Sequence, residues 1–312
     1  MSEKYETIVP SEPDAGERLQ WVSWLRSAAP YVHLHHGRTF VISFAGEVVA
    51  DRTLLNHLVM DVSLIASMGM RVVIVHGSRP QIEELMSLRK LEGQFYKGVR
   101  ITGPQELECV KEACGETRFD IEAAFSQGLP NTPMQHSRIK VVSGNFVTAR
   151  PMGIIDGVDY LHTGVVRKVD AESIQDLLSR GNIVLVSPTG FSPTGEAFNL
   201  TTEDVATAIA VAIHADKLIL SVGVDGVRIQ GEKQQDLTAQ QAQALIQSKQ
   251  VDDEDVYNLG YALRAIKGGV DRVHIVPYAM DGGILTELFT HDGVGTMIST
   301  ENMESLREAT ID

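Results

Sequence analysis

Thr39-Phe-Val-Ile-Ser-Phe-Ala-Gly-Glu47 decides the fold. Phe40-Val41-Ile42 is a short apolar run, and small residues follow it at once. The pattern predicts a buried strand that ends in a tight turn at Ala45-Gly46. In an open α/β sheet, ligands collect in the crevice beyond the carboxyl ends of the strands. A turn of small residues there lets backbone N–H groups approach an anion. Whether the strand carries phosphate chemistry turns on Ser43, the polar residue inside the run.

Downstream, residues 52–67 place Leu55, Leu58, Val59, Val62 and Ile65 at helical spacing, and Gly69 stops the helix. Residues 71–76 are almost wholly apolar, which suits a strand covered on both faces. They end in His76-Gly-Ser-Arg-Pro80, with a new helix expected from Pro80. This strand–helix–strand–helix rhythm, with a polar turn after each strand, points to a parallel sheet. Upstream, residues 17–28 read as an amphipathic helix crowding Leu19, Trp21, Val22 and Leu25 to one side, ending before Pro30. That side must pack either on its own domain or on another subunit. His33, His35 and His36 then fall on an expected surface loop.

Farther along, Arg100 sits in a loop over 98–102, and a long helix is expected over 104–127. Residues 139–142 and 146–149 flank Ser143-Gly-Asn145, a hairpin signal. With the alternating stretch 158–169 they suggest a small antiparallel layer. A helix over 171–180 leads to a strand over 183–187. Thr201 and Thr202 offer an N-cap to a helix over 203–214, with Glu203 and Asp204 on its first turn. Strands are expected at 217–221, 272–276 and 297–299, and helices at 257–267 and 284–289. Residues 231–256, polar and ending in Asp252-Asp-Glu-Asp255, read as a solvated flap. The expected class is α/β: a mainly parallel open sheet with helices on both faces, plus the small antiparallel layer.

Composition narrows function. At 312 residues the chain holds one or two domains. A net charge of −14 argues against nucleic acid and anionic membranes as partners. No apolar run approaches the ~18–20 residues of a membrane span. Residues 1–16 form an acidic tail without the apolar core of a signal peptide, so a cytoplasmic location is expected. Cys109 and Cys114 lie together in a polar helical stretch and read as structural thiols. The ten histidines do not cluster at metal-ligand spacing, so no metal is expected. Walker A, G-x-G-x-x-G, H-E-x-x-H and G-x-S-x-G are all absent.

Several stretches together carry a resemblance: Val72-Val-Ile-Val-His-Gly-Ser-Arg-Pro-Gln81, Val141-Val-Ser-Gly-Asn-Phe146, Asp156-Gly-Val-Asp-Tyr160, Phe198-Asn-Leu-Thr201 and Glu287-Leu-Phe-Thr-His-Asp-Gly-Val-Gly-Thr296, with Ala28-Ala-Pro-Tyr31 ahead of them. Over residues 39–299 the chain resembles the amino-acid kinase fold, and most of all the kinase-like domain of the N-acetylglutamate synthases. The resemblance implies a tail (1–16), an N-terminal helix (17–30), a kinase-like domain (31–299), and a linker with the first residues of an acetyltransferase domain (300–312). Residues 306–312 look like the opening strand of that further domain, so the chain reads as part of something longer. Acetyl-CoA is the cofactor implied for the whole enzyme of arginine biosynthesis, and none is implied for these residues, which contain no Arg/Gln-x-x-Gly-x-Gly/Ala loop.

Departures from the kinase pattern imply a degenerate site. Phosphoryl transfer needs cations on the phosphates and a placed acid. The family's first-strand lysine falls at Ser43, its aspartate at Glu203 and its second lysine at about Asn258. No catalytic residue is therefore expected. Arg100 and Asn199 match residues that hold acylglutamate in the kinases, and are expected only to stabilise the old pocket. Arginine-regulated members instead match at Tyr31, Lys217, Glu287 and Gly293. On their own these would read as a core aromatic, a surface lysine, a solvated helix charge and a turn. The resemblance implies an L-arginine site, where Glu287 accepts a guanidinium pair and Lys217 meets the ligand carboxylate or holds Glu287. It also implies an allosteric domain, inhibited by arginine and assembled into homo-oligomers through the N-terminal helix. The alternatives are an ATP-dependent carboxylate kinase and a purely structural oligomerisation domain.

Overall fold

The computed structural model describes residues 15–127 and 139–300. The acidic tail up to residue 14 and the expected strand at 306–312 lie outside them. In chain order the elements are α1 (Ala15–His35), β1 (Thr39–Phe44), α2 (Gly46–Ala50), α3 (Arg52–Ser67), β2 (Arg71–His76), α4 (Arg79–Leu88), β3 (Gln94–Tyr96), β4 (Val99–Ile101) and α5 (Pro104–Ser126). Then follow β5 (Val141–Ser143), β6 (Val147–Pro151), β7 (Ile154–Ile155), β8 (Val158–Asp159), β9 (Gly164–Val169), α6 (Ala171–Ser179), β10 (Ile183–Val186), β11 (Thr189–Phe191), β12 (Ala197–Asn199) and α7 (Thr202–Ala212). The last part holds β13 (Lys217–Val222), β14 (Arg228–Ile229), β15 (Glu232–Lys233), β16 (Asp236–Thr238), α8 (Ala239–Ser248), α9 (Asp253–Lys267), β17 (Arg272–Pro277), α10 (Gly283–Phe289) and β18 (Thr296–Ser299).

An eight-stranded sheet in the order β16-β18-β17-β13-β1-β2-β10-β5 forms the centre. Its strands from β17 to β5 run parallel, and β18 pairs antiparallel with β17. β1 is buried along its whole length between β13 and β2. Alternate side chains of a strand point to opposite faces. Phe40, Ile42 and Phe44 therefore join one core layer, with residues of α3 and α10. Val41 joins the other, with residues of α6, α7 and α9. A four-stranded sheet, β12-β11-β6-β9, supplies the expected small layer.

Three expectations need correction. First, α1 runs through Pro30 to His35. A proline in a helix interior costs about 3 kcal/mol, but Ala28 and His35 are buried and Tyr31 and Val32 pack on the domain. That packing outweighs the cost, so His33 and His35 are helical rather than part of a surface loop. Second, the strands around Ser143-Gly-Asn145 form no hairpin. β5 pairs in parallel with β10, while β6 joins the small sheet. Third, residues 231–256 are no solvated flap. Leu237, Ala242 and Leu245 are buried in the main core, and β16 forms an edge of the large sheet.

Candidate functional site

Lys217 opens β13 and His274 lies in β17, on the core face they share with Ile219 and Val276. In register Lys217 pairs with Arg272, so Lys217 and His274 are diagonal neighbours two residues apart on one face. Lys217 Nζ donates to His274 Nε2 at 3.0 Å. His274 Nδ1 donates to Glu287 Oε1 at 2.7 Å. The other oxygen, Oε2, accepts from the backbone amides of Val294 at 2.7 Å and Gly295 at 2.9 Å. Gly293 has φ +61°, and a Cβ there would lie 2.5 Å from Glu287 Oε2. The turn can close on the carboxylate only with glycine at that position.

Two of the four expected arginine-site residues, Lys217 and Glu287, thus meet in one hydrogen-bonded chain through His274, and a third, Gly293, packs against the Glu287 carboxylate. Lys217 does not hold Glu287 directly, because His274 stands between them. Tyr31 is not part of the chain. It is half-buried on α1, in the apolar cluster that also takes in Val32, Leu285 and Val294. Lys217 retains 6% exposure. Burial first, and the Arg272 cation next, bring its ammonium down to about 7. Burial and Lys217 also push His274 below its usual range. Burial alone would raise the Glu287 carboxyl. The hydrogen bonds from His274 and the two amides outweigh it and leave the group well below the usual carboxylate range.

The helix carrying Glu287 is clasped at both ends by side chains from elsewhere. Asp61 of α3 lies beside the amides of Ile284 and Leu285, the otherwise unpaired N–H groups at the start of α10. His35 of α1 donates from Nε2 to Leu288 O at 3.1 Å near its end. Beside Lys217 opens a recess of about 430 Å³, bordered by His35, Arg38, Asp216, Asp271 and Arg272. Arg38 is tied there to Asp216 at 2.7 Å.

A second, larger cleft of about 930 Å³ lies beyond the carboxyl ends of β1, β2 and β13, with Gly46, Gly77 and Ser221 on its border. Glu203 and Asn258 line it, whereas Ser43 is buried within β1 at 3% exposure. Tyr257 Oη donates to Glu203 Oε2 at 3.2 Å. Burial raises the Glu203 pKa, so its carboxyl holds a proton more readily than an ordinary one. Asn258 is 3% exposed and its Nδ2 has no partner among the described residues. Asn199 Nδ2 donates to Thr102 Oγ1 at 3.0 Å, and the Arg100 guanidinium is bonded to Glu83. Among the described residues no group of three His, Cys, Asp or Glu side chains is placed to hold a metal ion. No helix among them is long and apolar enough to cross a membrane.

Sequence reasoning missed His274, His35, Asp61 and Glu83. His274 carried a usable signal: it is a polar residue inside Val273-His-Ile-Val276, at an inward strand position. Asp61 and His35 become visible only once α10 packs between α1 and α3.

The amino acid kinase family profile matches residues 38–277. An amino-acid acetyltransferase of Ralstonia nicotianae is 54% identical over 96% of this chain and 66% of its own length. One from Pseudomonas fluorescens is 48% identical over 94% of this chain and 68% of its own. The chain therefore spans about two thirds of the length of these curated relatives. Among solved structures, N-acetylglutamate synthase from Neisseria gonorrhoeae complexed with coenzyme A and N-acetyl-glutamate superposes with TM-score 0.83 at 35% identity. The match covers 90% of this chain and 64% of that one. The same enzyme complexed with coenzyme A and L-arginine gives 0.82 at 35% identity, covering 90% and 66%. Carbamate kinase from Giardia lamblia, at 14% identity and TM-score 0.63 over 85% of this chain, shares the fold alone.

Proposed function

This chain belongs to the amino acid kinase family, in the group whose curated members are amino-acid acetyltransferases, and from that premise we propose that it is an L-arginine-binding regulatory and assembly domain. The whole protein would be an N-acetylglutamate synthase, moving acetyl from acetyl-CoA to the α-amino group of glutamate. The observation that carries the regulatory reading is the chain Lys217–His274–Glu287, closed on the Gly293 turn. It sets a held carboxylate for a guanidinium near an ammonium for an α-carboxylate. The solved relative complexed with L-arginine supports that ligand class.

The same residues suggest how binding would be transmitted. Glu287 rides on α10, whose end is tied to α1 through His35 and Leu288 O. A ligand that fixes α10 against α1 would favour one arrangement of that helix, and any such coupling requires different affinities for the two states. The first half of α1, with Trp21 and Trp24 exposed, would contact a second copy of the chain.

The large cleft would be catalytically idle. Ser43 and Asn258 offer no cation where the kinases use lysine, and Glu203 is engaged by Tyr257. Titration calorimetry with L-arginine tests the reading. Saturable heat is expected from the parent protein and none from Glu287→Ala. A flat titration of well-folded parent protein would overturn it.

A further inference from the structure

The large cleft contains a charge cluster that the arginine reading leaves unused. Arg100 of β4 is 8% exposed. Its Nη2 donates to Glu83 Oε1 at 2.9 Å, and its guanidinium lies over the Phe95 ring, 4.6 Å from the centroid. Arg79, the first residue of α4, donates from Nε to the same Oε1 at 3.2 Å. It lies over the same ring at 5.5 Å. One carboxylate oxygen therefore serves two guanidinium groups stacked on one aromatic side chain. Arg79, Phe95 and Arg100 all border the cleft. A third cation at the border, Lys97, is likewise taken, by Asp156 at 2.5 Å.

A buried guanidinium needs an acceptor, because an uncompensated buried charge is strongly destabilising. In an open anion site the acceptor arrives with the ligand. Here it belongs to the chain, and Glu83 stands one helical turn from Arg79, so the contact forms within α4. We propose that Glu83, which reaches the guanidinium groups of Arg100 and Arg79 at the cleft border without itself bordering the cleft, is their built-in carboxylate partner and engages donors that a free carboxylate ligand would need. An intramolecular group competes at an effective concentration in the millimolar range or above. A free carboxylate compound at millimolar levels is therefore largely excluded. The two guanidinium groups and one carboxylate leave one positive charge; neutralising Glu83 leaves two and frees their donors, so the cleft border gains anion affinity.

The proposal rests on reading the cleft as catalytically idle, and it is independent of the arginine site. The test is calorimetry of the parent protein, Glu83→Gln and Glu83→Gln/Arg100→Ala, with N-acetylglutamate as a dicarboxylate probe. Glu83→Gln is expected to bind at least tenfold more tightly than the parent, and the double variant to lose the gain. If Glu83→Gln loses its native circular dichroism, Glu83→Asp, too short to reach both guanidinium groups, carries the same expectation. A folded variant with no gain, or a parent that binds as tightly, overturns the proposal. Titration of the same proteins with L-arginine separates the two readings. Normal arginine heat without a dicarboxylate gain sinks the role of Glu83 alone, and a parent protein that ignores arginine sinks the regulatory reading alone.

Discussion

Lys217, His274 and Glu287 satisfy one another in a single proton arrangement. The neutral imidazole donates from Nδ1 to the carboxylate and accepts at Nε2 from the lysine, a tautomer assigned from the hydrogen-bond network. Replacing His274 by leucine removes both contacts from buried partners. Stranding a buried charge costs about 3–5 kcal/mol. Two escapes pull the figure to the lower end: Lys217, already at about 7, can shed its proton, and Glu287 keeps two backbone donors. His274→Leu is expected to lose about 3 kcal/mol in urea unfolding and to lose arginine heat. An unchanged midpoint would mean that the chain of contacts contributes nothing. Lys217, Glu287 and Gly293 are singled out from sequence only through the family resemblance, since on their own they read as a surface lysine, a solvated helix charge and a turn. His274 signals only that a polar residue sits inside an apolar strand; its partners depend on register, because it neighbours Lys217 only after β13 and β17 pair.

At the scale of elements, the strands were legible, and so was the first part of α1, but not where that helix ends. β1, β2, β10, β13 and β17 are short runs of buried apolar residues, and such runs announce themselves. Where α1 ends is decided instead by contacts with α10 and β1, which outweigh the proline. The helix carries one stripe at heptad-like spacing: Trp21, Trp24, Ala28, Tyr31 and His35. The second half of that stripe is covered, with Ala28 at 3% exposure and His35 at 4%. The first half continues past the domain, leaving Trp21 at 62% and Trp24 at 52%. Large apolar side chains lined up on an uncovered stripe mark an interaction surface. Trp21→Ser/Trp24→Ser is therefore expected to elute as a smaller species in size-exclusion chromatography. Because both side chains are exposed, the stability of the domain itself should change by no more than about 0.5 kcal/mol. Equal elution volumes for parent and variant would remove α1 as the assembly element.

For the whole molecule, the buried histidines set the response to acid. Burial holds His35 and His76 down to about 4, and His274 also lies below its usual range. Between about 4 and 6.5 each is neutral in the fold and protonated in the unfolded chain. The unfolded chain then binds more protons, so stability falls as pH drops through that window. Asp61 acts in the opposite direction. Burial, with Asp281 nearby, raises it to about 7, so the fold keeps a proton that the unfolded chain releases between about 4 and 7. Glu203, raised by burial, and Glu287, held low by its hydrogen bonds, act in opposite senses and offset each other in part. Three protons against one among the other four groups leave a net uptake of about two on unfolding, or about 3 kcal/mol lost per pH unit near pH 5. Domains of this kind have only about 5–15 kcal/mol to lose. Urea unfolding at pH 6.5, 5.5 and 4.5 should therefore show the midpoint dropping steeply at each step. His76→Gln, which removes one of the three titrations, should make the slope about half as steep. A midpoint that holds steady over these two units would mean that the histidines are not kept neutral by the core, and that the clasp of His35 on α10 survives acid unaided.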